Sequence, residues 1–232
     1  MRTASGEHPA QVAGSVRHRA SGRGDLPAVG DWVLLEGGGE GIAVVRHVLP
    51  RFSRFSRKVA GERTEEQVVA ANIDRVWLTS ALDQTLSLRR IERYLALAWE
   101  SGAEPEVILT KCDLANDPDA ARRDVEGVAF GVPVRVTSGL TGAGVPELEA
   151  SLEPGMTVAL LGASGVGKTT LVNRLAGEEI LRVGPLRKGG QKGRHTTTHR
   201  QLLRLPGGAL VVDTPGMREL QLWEGEEGIR DT

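Results

Sequence analysis

Apolar residues along this chain follow two rhythms, and the change falls near residue 72. Ahead of it, runs rich in Val, Ile and Trp at Gln11 to Arg19, Asp31 to Glu36 and Gly41 to Leu49 are divided by Gly24-Asp25-Leu26-Pro27 and Glu36-Gly37-Gly38-Gly39. Short apolar runs between turn-forming clusters predict short strands, and residues 1–60 read as a small all-β domain. From Asn72 the runs lengthen and alternate in kind. Ile73 to Ser80 has the continuous apolar character of a buried strand, and Leu88 to Ser101 places Ile91, Leu95 and Ala98 on one helical face. A strand at Glu106 to Thr110, a helix at Asp117 to Glu126, a strand at Val132 to Val136 and a helix at Val145 to Leu152 follow. Next come a strand at Val158 to Leu161 and a helix at Thr169 to Leu175, then two closing strands, Arg200 to Leu205 and Ala209 to Val212, joined by Pro206-Gly207-Gly208. Strand alternating with helix predicts an α/β fold over residues 61–232, a parallel sheet with helices on both faces and its ligand at the carboxyl ends of the strands.

The candidate chemistry sits at those strand ends. Met156 to Leu171 reads MTVALLGASGVGKTTL, with Gly162, Gly167, Lys168 and Thr169 at the spacing G-x-x-x-x-G-K-[ST], after a strand and before a helix. Glycines at 162, 165 and 167 let backbone N–H groups curl around a phosphate, and the following helix adds its positive end. Lys168 is placed to reach the β- and γ-phosphates and the Thr169 hydroxyl to sit on Mg²⁺, so a P-loop spanning Gly162, Ala163, Ser164, Gly165, Val166, Gly167, Lys168, Thr169 and Thr170 is expected.

A phosphate loop does not name its nucleotide. Thr110-Lys111-Cys112-Asp113 ends another predicted strand and resembles the T/N-K-x-D element of GTPases, whose aspartate accepts from the two adjacent donors of guanine, a pair that adenine lacks. Lys111 would lay its stem along the purine face. Thr137-Ser138-Gly139 resembles the short element whose backbone N–H at Ser138 faces the guanine O6. Asp213-Thr214-Pro215-Gly216 fits D-x-x-G, with Asp213 holding Mg²⁺ through water and the Gly216 N–H facing the γ-phosphate. One of Thr196, Thr197 and Thr198 is placed to complete the Mg²⁺ shell, and Thr197 is taken for that role. GTPases ordinarily run phosphate loop, threonine, D-x-x-G, then T/N-K-x-D. Here TKCD and TSG come first, so the domain reads as circularly permuted, an order open to a compact domain with neighbouring termini.

With GASGVGKT, GRHTTT and DTPGMREL in that permuted order behind a basic β-rich segment, the chain resembles the ribosome small-subunit-dependent GTPase A family. The resemblance implies an N-terminal OB-fold that contacts ribosomal RNA, a permuted GTPase domain using GTP and GDP with Mg²⁺, and a role in late maturation of the small ribosomal subunit. It also implies a C-terminal zinc domain. No zinc site is expected within these residues, which hold one cysteine, Cys112, and no Cys/His cluster, and the OB-fold looks short at its start, so a partial chain is expected.

Composition narrows the setting. The 232 residues carry a net charge of −1, no apolar run long enough to span a bilayer and no N-terminal signal segment, which favours a cytoplasmic monomer away from membranes. Charge is unevenly spread. Arg46, Arg51, Arg54, Arg57 and Lys58 alternate with His47, Phe52 and Phe55 in a stretch without acids, which suits either an RNA surface or a solvated edge with the two rings in the core. Ile180 to Val212 is also free of acids. Where many GTPases carry a water-orienting glutamine after D-x-x-G, this chain has Met217, so His195 is the expected catalytic group, with contact to RNA as its other role. A P-loop ATPase or kinase, and an RNA-binding module with a vestigial nucleotide site, remain as other readings.

Overall fold

A computed structural model describes residues 1–4, 6–37, 41–59, 65–181 and 201–213. The chain opens with two two-residue strands, β1 (Arg2–Thr3) and β2 (Gly6–Glu7), then β3 (Ala10–Val12), helix α1 (Gly14–Arg19), β4 (Val33–Glu36) and β5 (Ala43–Val48). β3 pairs with β5 in parallel and β4 with β5 antiparallel. The expected strand over Gln11 to Arg19 is strand only at Gln11 and Val12 and turns helical from Gly14. Within α1 only Val16 is buried, and one inward side chain in six residues fits a helical turn rather than an alternating strand.

Next, β6 (Arg54–Val59) and β7 (Glu65–Ala71) form an antiparallel hairpin. It straddles residue 60 and leads into the second sheet. Phe55 is buried and Phe52 is 60% exposed, so one ring joins the core and the other faces out.

The second sheet has six strands among the described residues. Its elements are β8 (Arg75–Ala81), α2 (Leu88–Ser101), β9 (Glu104–Thr110), α3 (Pro118–Glu126), β10 (Val134–Val136), α4 (Val145–Ala150), β11 (Thr157–Leu161), α5 (Lys168–Ala176), β12 (Gln201–Arg204) and β13 (Leu210–Asp213). Strand order is β10-β9-β8-β11-β13-β12. All pairs are parallel except β12 with β13, because the tight turn at Pro206-Gly207-Gly208 is too short for a crossover.

Alternation along each strand divides the core into two layers. Val76, Leu78, Val107, Leu109, Ala159 and Leu161 pack with Ile91, Leu95 and Val125 of α2 and α3. Their neighbours Trp77, Ile108, Val158, Leu160 and Val211 pack with Leu148, Leu171 and Leu175 of α4 and α5. Helices thus cover both faces, as parallel strands require. Where the sheet must bury a charge, it satisfies it: Glu106, 1% exposed, accepts from Trp77 Nε1 at 2.9 Å and meets Arg75 at 3.5 Å and Arg135. That network ties β8, β9 and β10 together away from the carboxyl edge, which is left to the loops.

Candidate functional site

Four of the loops at the carboxyl edge carry the motifs. β11 is fully buried and delivers the chain to Gly162, where an added Cβ would lie 2.4 Å from the Thr79 carbonyl oxygen of β8, so only glycine fits. The loop turns through left-handed Gly165 and Gly167, at φ 80° and 100°. Val166 is buried beneath it while Ser164 and Gly165 stand exposed. Lys168 opens α5, and its ammonium donates to the carbonyls of Gly162 at 2.5 Å and Ala163 at 2.6 Å, so the charge is folded over the loop. Gly167, the N-cap of α5, offers no side-chain acceptor to the N–H groups of the first turn, which suit an anion. Thr169 and Thr170 follow, both half-buried.

β9 brings Thr110 to the same place. Its hydroxyl reaches the carbonyls of Ser80, at 3.2 Å, and of Val166 in the phosphate loop. The loop after Thr110 is thereby fastened to the phosphate loop 56 residues further along the chain. Lys111 adopts the left-handed conformation at φ 58°, and its ammonium sits 3.0 Å from Asp83 Oδ2. Asp83 is itself held by the backbone N–H of Thr85 at 2.9 Å and by the Thr85 hydroxyl. Partial burial pushes the Asp83 pKa up, but the hydrogen bonds from Thr85 and Lys111 outweigh it, and the carboxyl stays below its ordinary value.

Beyond Lys111, Cys112–Leu114 forms a single 3₁₀ turn that leaves the Asp113 carboxylate exposed, accepting from the Ser138 hydroxyl. Burial and the Asp113 charge raise the Cys112 thiol pKa, so it stays a neutral thiol at physiological pH. Ser138 is buried, with its own hydroxyl accepting from Thr141 N at 3.1 Å. The Ser138 loop is pressed onto α5: a Cβ on Gly139 would lie 3.1 Å from Leu171 N, and Arg174 donates to the Gly139 carbonyl at 3.1 Å and to that of Leu140.

Asp213 ends β13, one residue past the pairing of Val212 with Ala159 on β11, which puts it at the carboxyl edge beside the phosphate-loop strand. The rest of the expected set, His195, Thr197 with its neighbours Thr196 and Thr198, Gly216 and Met217, lies outside the described residues, as does the side chain of Asp213.

Thr110, Lys111, Cys112, Asp113, Ser138 and Gly162 through Thr170 therefore come together through direct contacts between their loops. Two participants, Asp83 and Arg174, were not singled out from the sequence. Asp83 carries a faint local signal, an Asp two residues before a Thr that it caps. Arg174 carries none, since it meets Gly139 across 35 residues. Chemically, the edge offers a cationic, N–H-lined loop for phosphates and, two strands away across β8, a carboxylate held by a hydroxyl for a pair of adjacent donors.

The family model described as RsgA GTPase matches residues 48–223. The small ribosomal subunit biogenesis GTPase RsgA 1 of Oceanobacillus iheyensis is 46% identical over 224 residues, covering 96% of this chain and 64% of its own length. The chain spans between 54% and 65% of the length of such curated relatives. Among solved structures, the crystal structure of YjeQ from Thermotoga maritima superposes with a TM-score of 0.72 at 29% identity, over 94% of this chain and 70% of that one. The crystal structure of YloQ, a circularly permuted GTPase, shares the fold at a TM-score of 0.56 and 22% identity, over 86% of this chain and 60% of that one.

Proposed function

The chain belongs to the RsgA GTPase family, and from that premise we propose that it binds GTP, hydrolyses it to GDP and phosphate, and does so on the small ribosomal subunit during its late maturation. The observation that carries the nucleotide reading is the bond from Thr110 to Val166 together with that from Ser138 to Asp113. These bonds hold the Asp113 loop beside the phosphate loop, which supports a reading in which the carboxylate meets the base of the nucleotide whose phosphates the loop holds. An ATPase or kinase would have no use for Asp113 in that position, since adenine lacks the donor pair that the carboxylate accepts.

In this reading Lys111 lies along the purine, Asp113 accepts from guanine, Ser138 steadies Asp113, and the loop from Gly162 to Thr170 holds the phosphates. Mg²⁺, which favours one or two carboxylates with phosphate oxygens and water, suits a donor set of Thr169, Asp213 and Thr197. Thr169 lies in the first turn of α5 and Asp213 ends the strand beside β11, so the two donors with described backbones both stand at the carboxyl edge. When bound, the ion would offset the negative charge of the phosphate groups. The Gly216 N–H faces the γ-phosphate, and His195 orients the attacking water, a task beyond the thioether of Met217. Ribosomal RNA is the proposed macromolecular partner, met by the N-terminal segment as an OB-like domain and by the acid-free region around His195. The working form is a cytoplasmic monomer. No helix among the described residues is long and apolar enough to cross a membrane.

Steady-state GTP turnover with and without small ribosomal subunits tests this. Alone, the chain should turn over at about 10⁻⁴ to 10⁻² s⁻¹, the unassisted range of P-loop GTPases. Small subunits should raise that tenfold or more, equivalent to about 1.4 kcal/mol of barrier. His195→Ala should lose most of the stimulation with GTP affinity within about a factor of three. Turnover that small subunits leave unchanged would remove the ribosomal reading, and a fully stimulated His195→Ala chain would move the catalytic group elsewhere.

A further inference from the structure

A cleft of about 740 Å³ lies between the N-terminal strands and the last turn of α2. None of its lining residues belongs to the carboxyl-edge loops. One wall is Trp99, 60% exposed on α2, and another is Phe52, equally exposed on the segment leading into β6. Single exposed apolar side chains are ordinary. Two large aromatic side chains from separate parts of the chain, both kept in solvent and lining one cleft, form a ready apolar surface.

The two halves are held in register at this point. Gly102, the left-handed C-cap of α2 at φ 83°, approaches Phe52 so closely that an added Cβ would sit 3.1 Å from its carbonyl oxygen. Ser53 beside it is buried and exchanges hydrogen bonds with Ile73 at 2.7 and 2.6 Å. The aromatic walls therefore stand on a close-packed floor.

The charge around the cleft favours an anion. Arg19 at the end of α1 lines the cleft together with Arg46, His47 and Arg54. Against them stand Asp25, whose carboxylate already accepts from Ser21 N at 2.7 Å, and Glu100. Arg46 and Arg54 pair with Glu36 and Glu66, but these pairs are solvent-exposed and such pairs contribute little, so a phosphate readily replaces the carboxylate. Arg51 does not count among the available cations, since Asp31 holds it in a buried fork.

Flat apolar faces ringed by cations recognise unpaired nucleotides: rings stack on bases of any identity while arginines meet the phosphates. Duplex RNA has no base face to offer, and an acidic peptide leaves the rings unused. The volume lies within the range of roughly 300–1,000 Å³ typical of small-ligand sites and accommodates a single nucleotide. We propose that this cleft is a binding site for single-stranded RNA, with a base stacked on Trp99 and Phe52 and its flanking phosphates held by Arg19, Arg46 and Arg54. It rests on the reading of the chain as a factor that binds ribosomal RNA, and adds to it a strand-state preference and an address.

Fluorescence anisotropy of labelled decauridine and decaadenine, at low salt and without ribosomes, tests the site. Trp99→Leu and Phe52→Leu should each weaken binding about fivefold or more, Trp99→Phe should restore most of it, and all three should bind GTP as the parent does, which confirms an intact fold. Equal affinity of the leucine variants, or competition by duplex RNA or polyglutamate as effective as by single strands, would overturn the proposal. The small-subunit turnover measurement separates the two ideas. Stimulated turnover without oligonucleotide binding sinks the cleft alone, and aromatic-dependent binding without stimulation sinks the ribosomal reading alone.

Discussion

Asp83 shows how much a single side chain decides at this site. Lys111 is a long, flexible cation in a left-handed backbone, and left to itself its ammonium would sample many positions. The Asp83 carboxylate, oriented by Thr85, selects one of them. Asp83→Ala should therefore raise the Kd of GTP and GDP by the same factor, about three- to tenfold, with kcat within twofold of the parent. Asp113→Asn should act differently in kind, losing GTP and gaining xanthosine triphosphate, because the amide inverts the donor pattern facing the base. Equal GTP and GDP affinities in Asp83→Ala and the parent would reduce the ion pair to surface chemistry. The pH dependence has a definite sign. A lowered carboxyl pKa stabilises the fold above the ordinary aspartate value of 3.8, and that contribution is lost as pH falls through the lower folded value. The stability gap between parent and Asp83→Ala should accordingly be present at pH 7 and close in acid.

At the level of elements, the site depends on loops that cross one another without room for a side chain. Gly144 caps α4 with φ 67°, and a Cβ there would lie 2.0 Å from the Val136 carbonyl oxygen of β10. Gly155 has a similar φ of 86° with open space around it. Gly155→Ala should cost only the backbone penalty, about 1–2 kcal/mol. Gly144→Ala must add a steric conflict with backbone and should cost roughly 3 kcal/mol or more, read as a fall in Tm of about 6 °C or more. It should also weaken guanine nucleotide binding, because Ser138 N bonds the Ala143 carbonyl at 2.8 Å and displacement of that turn moves the hydroxyl that holds Asp113. Matching Tm values for the two variants would show that the β10–α4 turn yields more easily than the contact suggests.

Across the whole molecule, Arg51 joins the segment around Gly24 to Asp31 to the strand pair that enters the nucleotide-binding sheet. Its guanidinium makes two 2.7 Å bonds to Asp31 and donates to the carbonyls of Gly24 at 2.6 Å and Leu26 at 2.9 Å. Asp31 raises the Arg51 pKa still further, so the group is charged at any working pH. Arg51→Ala would leave a carboxylate with a fully buried side chain unpaired and should cost roughly 3–5 kcal/mol in thermal or urea unfolding. Arg51→Lys should recover little, since an ammonium cannot serve the four acceptor contacts of the fork. Full stability in the lysine variant would mean that charge alone suffices there. For the same reason Arg51 is unsuited to probing RNA contact by charge reversal, and Arg54, exposed and loosely paired, is the better choice.

What the sequence determined by itself is what lies in short windows. The period-3.6 apolar pattern located α2 to its terminal residues, and continuous apolar runs located the sheet strands to within a few positions. Motif spacing put TKCD, TSG and GASGVGKT at strand ends, because the chemistry of each loop needs contiguous residues. Tertiary structure alone decided everything that joins residues far apart. It sent Phe55 inward and Phe52 outward from the same basic run, turned Arg51 from a candidate RNA contact into a buried fork 20 residues from its partner, and paired Lys111 with Asp83 across 28. It also made a hairpin of β6 and β7 where charge, rather than alternation, dominates the residue pattern. The reason is physical: local periodicity records which side of an element is buried, whereas the choice of partner across the sheet is made only when the strands take their places beside one another.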